Sequence, residues 1–274
     1  MAAAMWAVST LSTSRSSKLI QPSSVLGGVM LVGVVMTAPF VLTSGVPEAL
    51  DLDTLALVLA SGLANVIGLL LAYTSLRIGK VGVVAPITST QGAVAAVIAV
   101  LAGETIAPGS GLMLVLIAIG VTLASLSSAK DAAGGRRDAS GALLAGVAAA
   151  LFGFGLYTIA RASSDLPVAW VLFLQRLLGV LVLTAPLAAL GRLRITRRAL
   201  PFVLVSGVCE VLGLVAFSIG AREGIAVASI LSSQFAALAA IVAYFVFDER
   251  LRRVQVVGVT AIVVGVAVLT GLQA

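Results

Sequence analysis

The chain has 274 residues, of which 60% are hydrophobic and only 10% charged, with a mean hydropathy of +1.18. A soluble domain of this length cannot hide that much apolar surface, so the bilayer must be its solvent. The net charge of +6 comes from cations in short loops between apolar runs, which excludes a nucleic-acid partner; one cysteine and no histidine exclude an internal disulfide, Cys- or His-ligated metals, Ser-His-Asp chemistry and a histidine relay.

A membrane helix needs about 20 mostly apolar residues. The sequence predicts ten spans, near 2–14, 23–44, 54–76, 81–103, 110–128, 140–160, 167–190, 200–221, 225–247 and 253–272. The first is short, with Arg15 closing it. Aligning Trp6 with Phe152 and Arg15 with Arg161 sets Met1 opposite Val147, so about six residues of the span are expected upstream. A secretory signal would carry a positive charge ahead of its apolar stretch, and none is present. The second span runs into an acidic loop with Glu48, Asp51 and Asp53. Asn65 lies inside the third, and Arg77-Ile78-Gly79-Lys80 turns the chain into the fourth. There Pro86 and the polar cluster Thr88-Ser89-Thr90-Gln91 predict a break, and Gly103-Glu104-Thr105-Ile106 closes the span.

After the fifth span, Lys130 to Asp138 is the longest polar stretch, with Gly134-Gly135 and Arg136-Arg137, and reads as a linker. Arg176 lies near the middle of the seventh span, in Phe173-Leu174-Gln175-Arg176-Leu177, and Glu210 near the middle of the eighth, in Cys209-Glu210-Val211. The ninth carries Ser232-Ser233-Gln234 and closes on Asp248-Glu249-Arg250-Leu251. Gly258 and Gly265, seven apart in the tenth, suit close helix packing in lipid.

One pattern occurs twice at an offset of 145: Ser61-Gly62 with Ser206-Gly207, Gly68-Leu69 with Gly213-Leu214, Arg77 and Gly79 with Arg222 and Gly224, and Glu104 with Glu249. Ile117, Gly120 and Val121 recur as Ile262, Gly265 and Val266. Five spans is an odd number, so the second copy enters the membrane from the opposite side, and inverted repeats of this kind are a transporter architecture. The expected fold is therefore an all-α membrane protein of ten transmembrane helices, as two inverted five-helix repeats: 1–128, a linker at 129–139, and 140–274.

Fourteen of the seventeen cations fall in loops on one side, among them Arg15, Lys18, Arg77, Lys80, Lys130 and the group Arg192 to Arg198. By the positive-inside rule that side, with the linker, is cytoplasmic, and both termini face outward from a cell membrane.

A charge at a helix centre costs roughly 2.5–3.5 kcal/mol on insertion scales and usually faces a cavity. Arg176 and Glu210 sit on consecutive spans, each about ten positions from the same loop, so they lie at similar depth and can meet. The Arg176 fork suits a substrate carboxylate or other anion; Glu210 suits a substrate ammonium or a coupling proton. The alternative is an internal ion pair that neutralises both. Asn65 occupies the position equivalent to Glu210 and cannot ionise, so proton work is asymmetric between the copies. Asn65, Ser89, Gln91, Ser233 and Gln234 either line a central cavity or pack helices by hydrogen bonds. Tyr157, Tyr73 and Trp6 are weaker candidates, and Trp170 reads as an interface anchor. Glu104 and Glu249 are explained by pairing with nearby cations or by capping the next helix.

The duplicated five spans, with a Gly-Glu-x-x or Asp-Glu-Arg-Leu element closing the fourth span of each, resemble the drug/metabolite transporter superfamily of EamA type over essentially the whole chain. The resemblance implies ten helices around a central cavity, alternating access, and secondary active export of amino acids or other metabolites. Such proteins commonly keep their termini in the cytoplasm with a basic second loop; here that loop is Pro47-Glu48-Ala49-Leu50-Asp51, and the charges set the expected orientation. The chain has no Gly-x-x-x-x-Gly-Lys-Ser/Thr loop for ATP and no Gly-x-Ser-x-Gly elbow or paired aspartates for an intramembrane enzyme. The expected activity is secondary transport of small polar metabolites such as amino acids, without cofactor or metal, with a proton as the candidate coupling ion. Broad drug efflux is the second transport reading, and a non-transporting scaffold the third.

Overall fold

Long runs of Val, Leu, Ala and Gly leave a backbone in lipid no partner but itself, and every element among the described residues is a helix. The computed structural model describes residues 1–47, 51–79, 81–105 and 136–236, with isolated positions between 111 and 119 and between 238 and 264. In chain order the helices are α1 (Ala2–Leu19), α2 (Pro22–Ser44), α3 (Leu52–Ile78), α4 (Val81–Ser89), α5 (Gln91–Leu101), α6 (Arg136–Asp165), α7 (Val168–Ala189), α8 (Leu200–Gly220) and α9 (Ile225–Ser232). Five of these, α2, α3, α6 from Ser140, α7 and α8, are long and apolar enough to cross a membrane. Their outward faces carry exposed Val35, Phe40, Leu63, Ile67, Leu143 and Leu204, while the interior holds serines, Gln175, Arg176 and Glu210. Apolar outside and polar inside is the pattern of a multi-pass membrane protein. Apart from those isolated positions, the predicted fifth and tenth spans lie outside the described residues, as do Lys130, Glu249 and the linker up to residue 135.

Local chemistry sets the helix ends. Pro22 occupies the first turn of α2, where no amide hydrogen is needed. Asp51 caps α3: its carboxylate accepts from the Thr54 amide at 2.8 Å, and hydrogen bonding from the Thr54 side chain and amide holds this exposed carboxyl below the usual aspartate range. At the end of α5, Gly103 adopts φ +98°. Its amide bonds the Val100 carbonyl, and the Glu104 amide bonds the Ala99 carbonyl, the pairing of a Schellman stop. A five-residue π segment, Val180–Thr184, precedes Pro186 in α7; proline supplies no amide hydrogen to the turn before it, and the looser winding absorbs the loss.

Two expectations are corrected. The first helix does not stop at Ser14 but continues to Leu19. Its seven hydroxyl residues do not end it: several of them bond back to helix carbonyls, as Ser16 does to Ser12 at 3.1 Å, or across to α8. The fourth span breaks at Thr90 rather than at Pro86. There the Thr90 amide and hydroxyl both bond the Ile87 carbonyl, at 3.2 and 2.7 Å, one residue short of the α-helical partner. The ninth span turns at Ser233-Gln234, so both break within their polar clusters.

Contacts fix the helix directions. Ser24 of α2 binds the backbone of Arg192 and Arg194, and Thr184 of α7 donates to the Gly27 carbonyl at 3.3 Å. Ser75 near the end of α3 donates to Gly141 near the start of α6 at 2.7 Å. One end of the bundle therefore gathers the C-termini of α1, α3 and α7 with the N-termini of α2, α6 and α8, and with them Arg15, Lys18, Arg77 and Arg192 to Arg198. So α1, α2 and α3 run opposite to α6, α7 and α8. The pairing is reciprocal: α1 packs on α8 as α6 packs on α3, α2 meets α7, and α5 crosses α9. The recurring glycines sit at these contacts. A Cβ on Gly68 would lie 2.8 Å from the Phe152 ring, and one on Gly213 would overlap the Trp6 indole. Trp6 and Phe152 are the pair aligned across the copies.

Candidate functional site

Arg176 is brought inward by α7 and is fully buried. Gly33 of α2 makes room for it, since a Cβ there would stand 2.7 Å from its Cγ and Cδ. Its Nη1 donates to Asn65 Oδ1 of α3 at 3.1 Å and lies 3.6 Å from Met30 Sδ of α2. Its Nη2 stands 3.9 Å from Glu210 Oε1 of α8, an ion pair without a close hydrogen bond. The two intramembrane charges therefore meet, and Asn65, the residue equivalent to Glu210, is bonded to Arg176 beside them. Arg176 Nε and Nη2 have no hydrogen-bond partner among the described residues. Next to Arg176, Gln175 donates from Nε2 to Ser61 at 2.7 Å and leaves Oε1 unpaired.

Glu210 is reached from the other side by α1. Ser9 Oγ donates toward Glu210 Oε2 at 3.3 Å and lies 3.1 Å from Ser206 Oγ, and Thr13 Oγ1 lies 2.6 Å from the same Ser206 hydroxyl. The spacings are four residues on each antiparallel helix, so two successive turns meet rung by rung. Tyr73 of α3 turns its buried hydroxyl toward Thr13 and Ser206 without completing a hydrogen bond.

A cavity of about 70 Å³ opens beside this cluster, enclosed by α1, α3, α4, α5, α6, α7 and α8. That volume holds several waters, since one needs roughly 10–15 Å³ on this measure. Its polar wall is Ser9, Thr13, Asn65, Gln91, Gln175 and Glu210; its apolar wall includes Trp6, Phe152, Leu156 and Phe235. Of the predicted site residues, Asn65, Gln91 and Glu210 line it, as do the weaker candidates Trp6 and Tyr73. Arg176 stands behind them, bonded to Asn65 and paired with Glu210. Ser89 is buried on α4 outside the lining, and Tyr157 is half-buried on α6 outside it. Ser233 donates to the Ser229 carbonyl at 2.9 Å and packs against Gly92 where α5 crosses α9; Gln234 is half-buried beyond it. Ser233 therefore belongs to the helix crossing. Gln175, Ser9, Thr13 and Ser206 were missed; a second polar residue beside Arg176 was the available signal for Gln175.

Glu104 caps a helix in the other half of the chain. Its two carboxylate oxygens accept from the amides of Ile225 and Ala226 at 3.2 and 3.1 Å, at the start of α9 in the other half. Gly224, at φ +156°, precedes α9, and a Cβ there would come within 3.4 Å of Glu104 Oε1. Trp170 donates its indole hydrogen to the Gly45 carbonyl at 2.9 Å at the end of α2, an anchoring position.

The model of the EamA-like transporter family matches residues 1–126 and 139–271. A solved structure titled only "Crystal structure of protein" superposes with a TM-score of 0.72 at 16% identity, over 98% of this chain and 94% of that one, a likeness of fold. None of the curated sequences compared with the chain matches it.

Proposed function

The chain belongs to the EamA-like transporter family, and on that premise we propose that it is a secondary active transporter of small polar metabolites such as amino acids, working by alternating access. The observation that carries this reading is the placement of Glu210: an ionisable group inside the bundle, on a cavity wall, loosely paired to a fully buried Arg176. A cation that enters the cavity, whether a substrate ammonium or a proton, competes with Arg176 for Glu210. Arg176 positions Glu210 and Asn65 from behind, and its fork becomes free for a substrate carboxylate once the 3.9 Å pair opens.

The proposed architecture is ten helices in two inverted halves, 1–128 and 140–274. The opposed directions of α1–α3 and α6–α8 support it, as do the paired breaks in the fourth and ninth spans. Broken helices at the interface of inverted halves are a usual place for a transported solute. The basic end is assigned to the cytoplasm of a cell membrane. Uptake into proteoliposomes, tested with amino acids and organic amines with and without a pH gradient, should show transport of at least one amine-bearing solute. No transport of any solute in either condition would overturn the reading in favour of a scaffold.

A further inference from the structure

The contact between α1 and α8 is lined by hydroxyls where small apolar residues would pack as well. Glu210 Oε2, Ser9 Oγ, Ser206 Oγ and Thr13 Oγ1 follow one another at 3.3, 3.1 and 2.6 Å. The row leads away from Glu210 toward the basic end, because it descends α8 toward Leu200 and ascends α1 toward Leu19. Beyond Thr13 the same helix buries Ser16 and Ser17 completely, and Ser17 Oγ has no hydrogen-bond partner among the described residues. Exposed Lys18 follows. The Tyr73 hydroxyl, on a residue only 3% exposed and likewise without a bond, faces the middle of the row.

Each hydroxyl is donor and acceptor at once, so a row of them can be bonded in either sense. Ser9 has one hydrogen and three acceptors within 3.4 Å: Glu210 Oε2, Ser206 Oγ and the Ser206 carbonyl. The row is thus not locked in one sense, and Ser9 and Thr13 also border the cavity, which has room for water. We propose that Ser9, Ser206 and Thr13 form a proton path between Glu210 and the basic end of the bundle. This rests on the reading that Glu210 takes the coupling proton. A proton leaving the Glu210 carboxyl goes to Ser9, which passes its own to Ser206, Ser206 passes its own to Thr13, and Thr13 releases its own to water in the adjoining cavity, so one proton leaves the row for each that enters. The other charged or titratable groups facing Glu210 are Arg176 from α7, Tyr73 from α3 and Cys209 on its own helix.

The test uses the full chain in lipid and the proton alone as probe. Infrared difference spectra after a pH jump report protonation of Glu210 through its carboxyl band, identified by its disappearance in Glu210→Gln. Thr13→Val and Ser206→Ala should keep the band and slow its appearance by at least about ten-fold, the effect of ~1.4 kcal/mol of added barrier. Thr13→Ser, which keeps the hydroxyl, should restore the wild-type rate and so separates proton transfer from misfolding. A band that appears at the wild-type rate in both hydroxyl-free variants overturns the path while leaving proton binding at Glu210 intact. No band lost in Glu210→Gln overturns the proton reading of Glu210 itself.

Discussion

Removing one member of the central pair should cost far more than removing both. Arg176 and Glu210 stand 3.9 Å apart, and at an effective dielectric of about 20 two unit charges at that distance attract by about 4 kcal/mol. Arg176→Gln leaves Glu210 buried with, among the described residues, the Ser9 hydroxyl at 3.3 Å as its hydrogen-bond partner, and a single loss of this kind costs roughly 3–5 kcal/mol. Arg176→Gln combined with Glu210→Gln leaves two neutral amides, with Asn65 still in reach. The double variant is therefore expected to recover most of the loss, giving a coupling energy of at least about 3–5 kcal/mol, because the double loss then falls below either single one. The assay is reversible unfolding of the detergent-solubilised protein by SDS titration, followed by circular dichroism, for the wild type and three variants. Additivity within about 0.5 kcal/mol would show that the two charges do not interact, and would refute the central cluster.

Three further outcomes follow from the geometry. Gly68→Leu and Gly213→Leu drive side chains into Phe152 and Trp6, and each should lower stability by about 1–3 kcal/mol; Gly68→Leu should be partly rescued by Phe152→Ala in the same titration. Glu104→Ala uncaps α9 and should cost about 0.5–2 kcal/mol, with faster hydrogen exchange at Ile225 and Ala226; unchanged exchange would remove the cross-half cap. The Asp51 cap lowers that carboxyl in the folded state, so its support of α3 is fully present above the ordinary aspartate value and is lost as pH falls through the lowered one. Exchange at Thr54 should accelerate over that acid window in the wild type and show no such step in Asp51→Ala.

How much of this was legible in the sequence differs between scaffold and site. The recurring glycines could be read because close helix contacts tolerate nothing larger, and the equivalence of Trp6 and Phe152 came from aligning the first span separately through Arg15 and Arg161. The meeting of Arg176 and Glu210 followed from counting residues from a shared loop. The hydroxyl face of α1 was not legible, because serines that bond back to their own helix look the same in sequence as serines that end it. Glu104 was read as a partner of nearby cations or a cap of the next helix; the cap observed lies 121 positions away, and only the inverted packing brings it near. Whether Arg176 faces the cavity or stands behind Asn65 depends on side-chain direction, which depth along a helix does not encode.

The most direct test of the account is driven uptake of a transported amine-bearing solute by Glu210→Gln beside the wild type and Trp170→Phe, in proteoliposomes of matched protein content. Loss of gradient-driven uptake in Glu210→Gln, with Trp170→Phe at the wild-type rate, is the predicted result. Wild-type uptake by Glu210→Gln would contradict it, because no transport step could then depend on the carboxylate at the cavity wall.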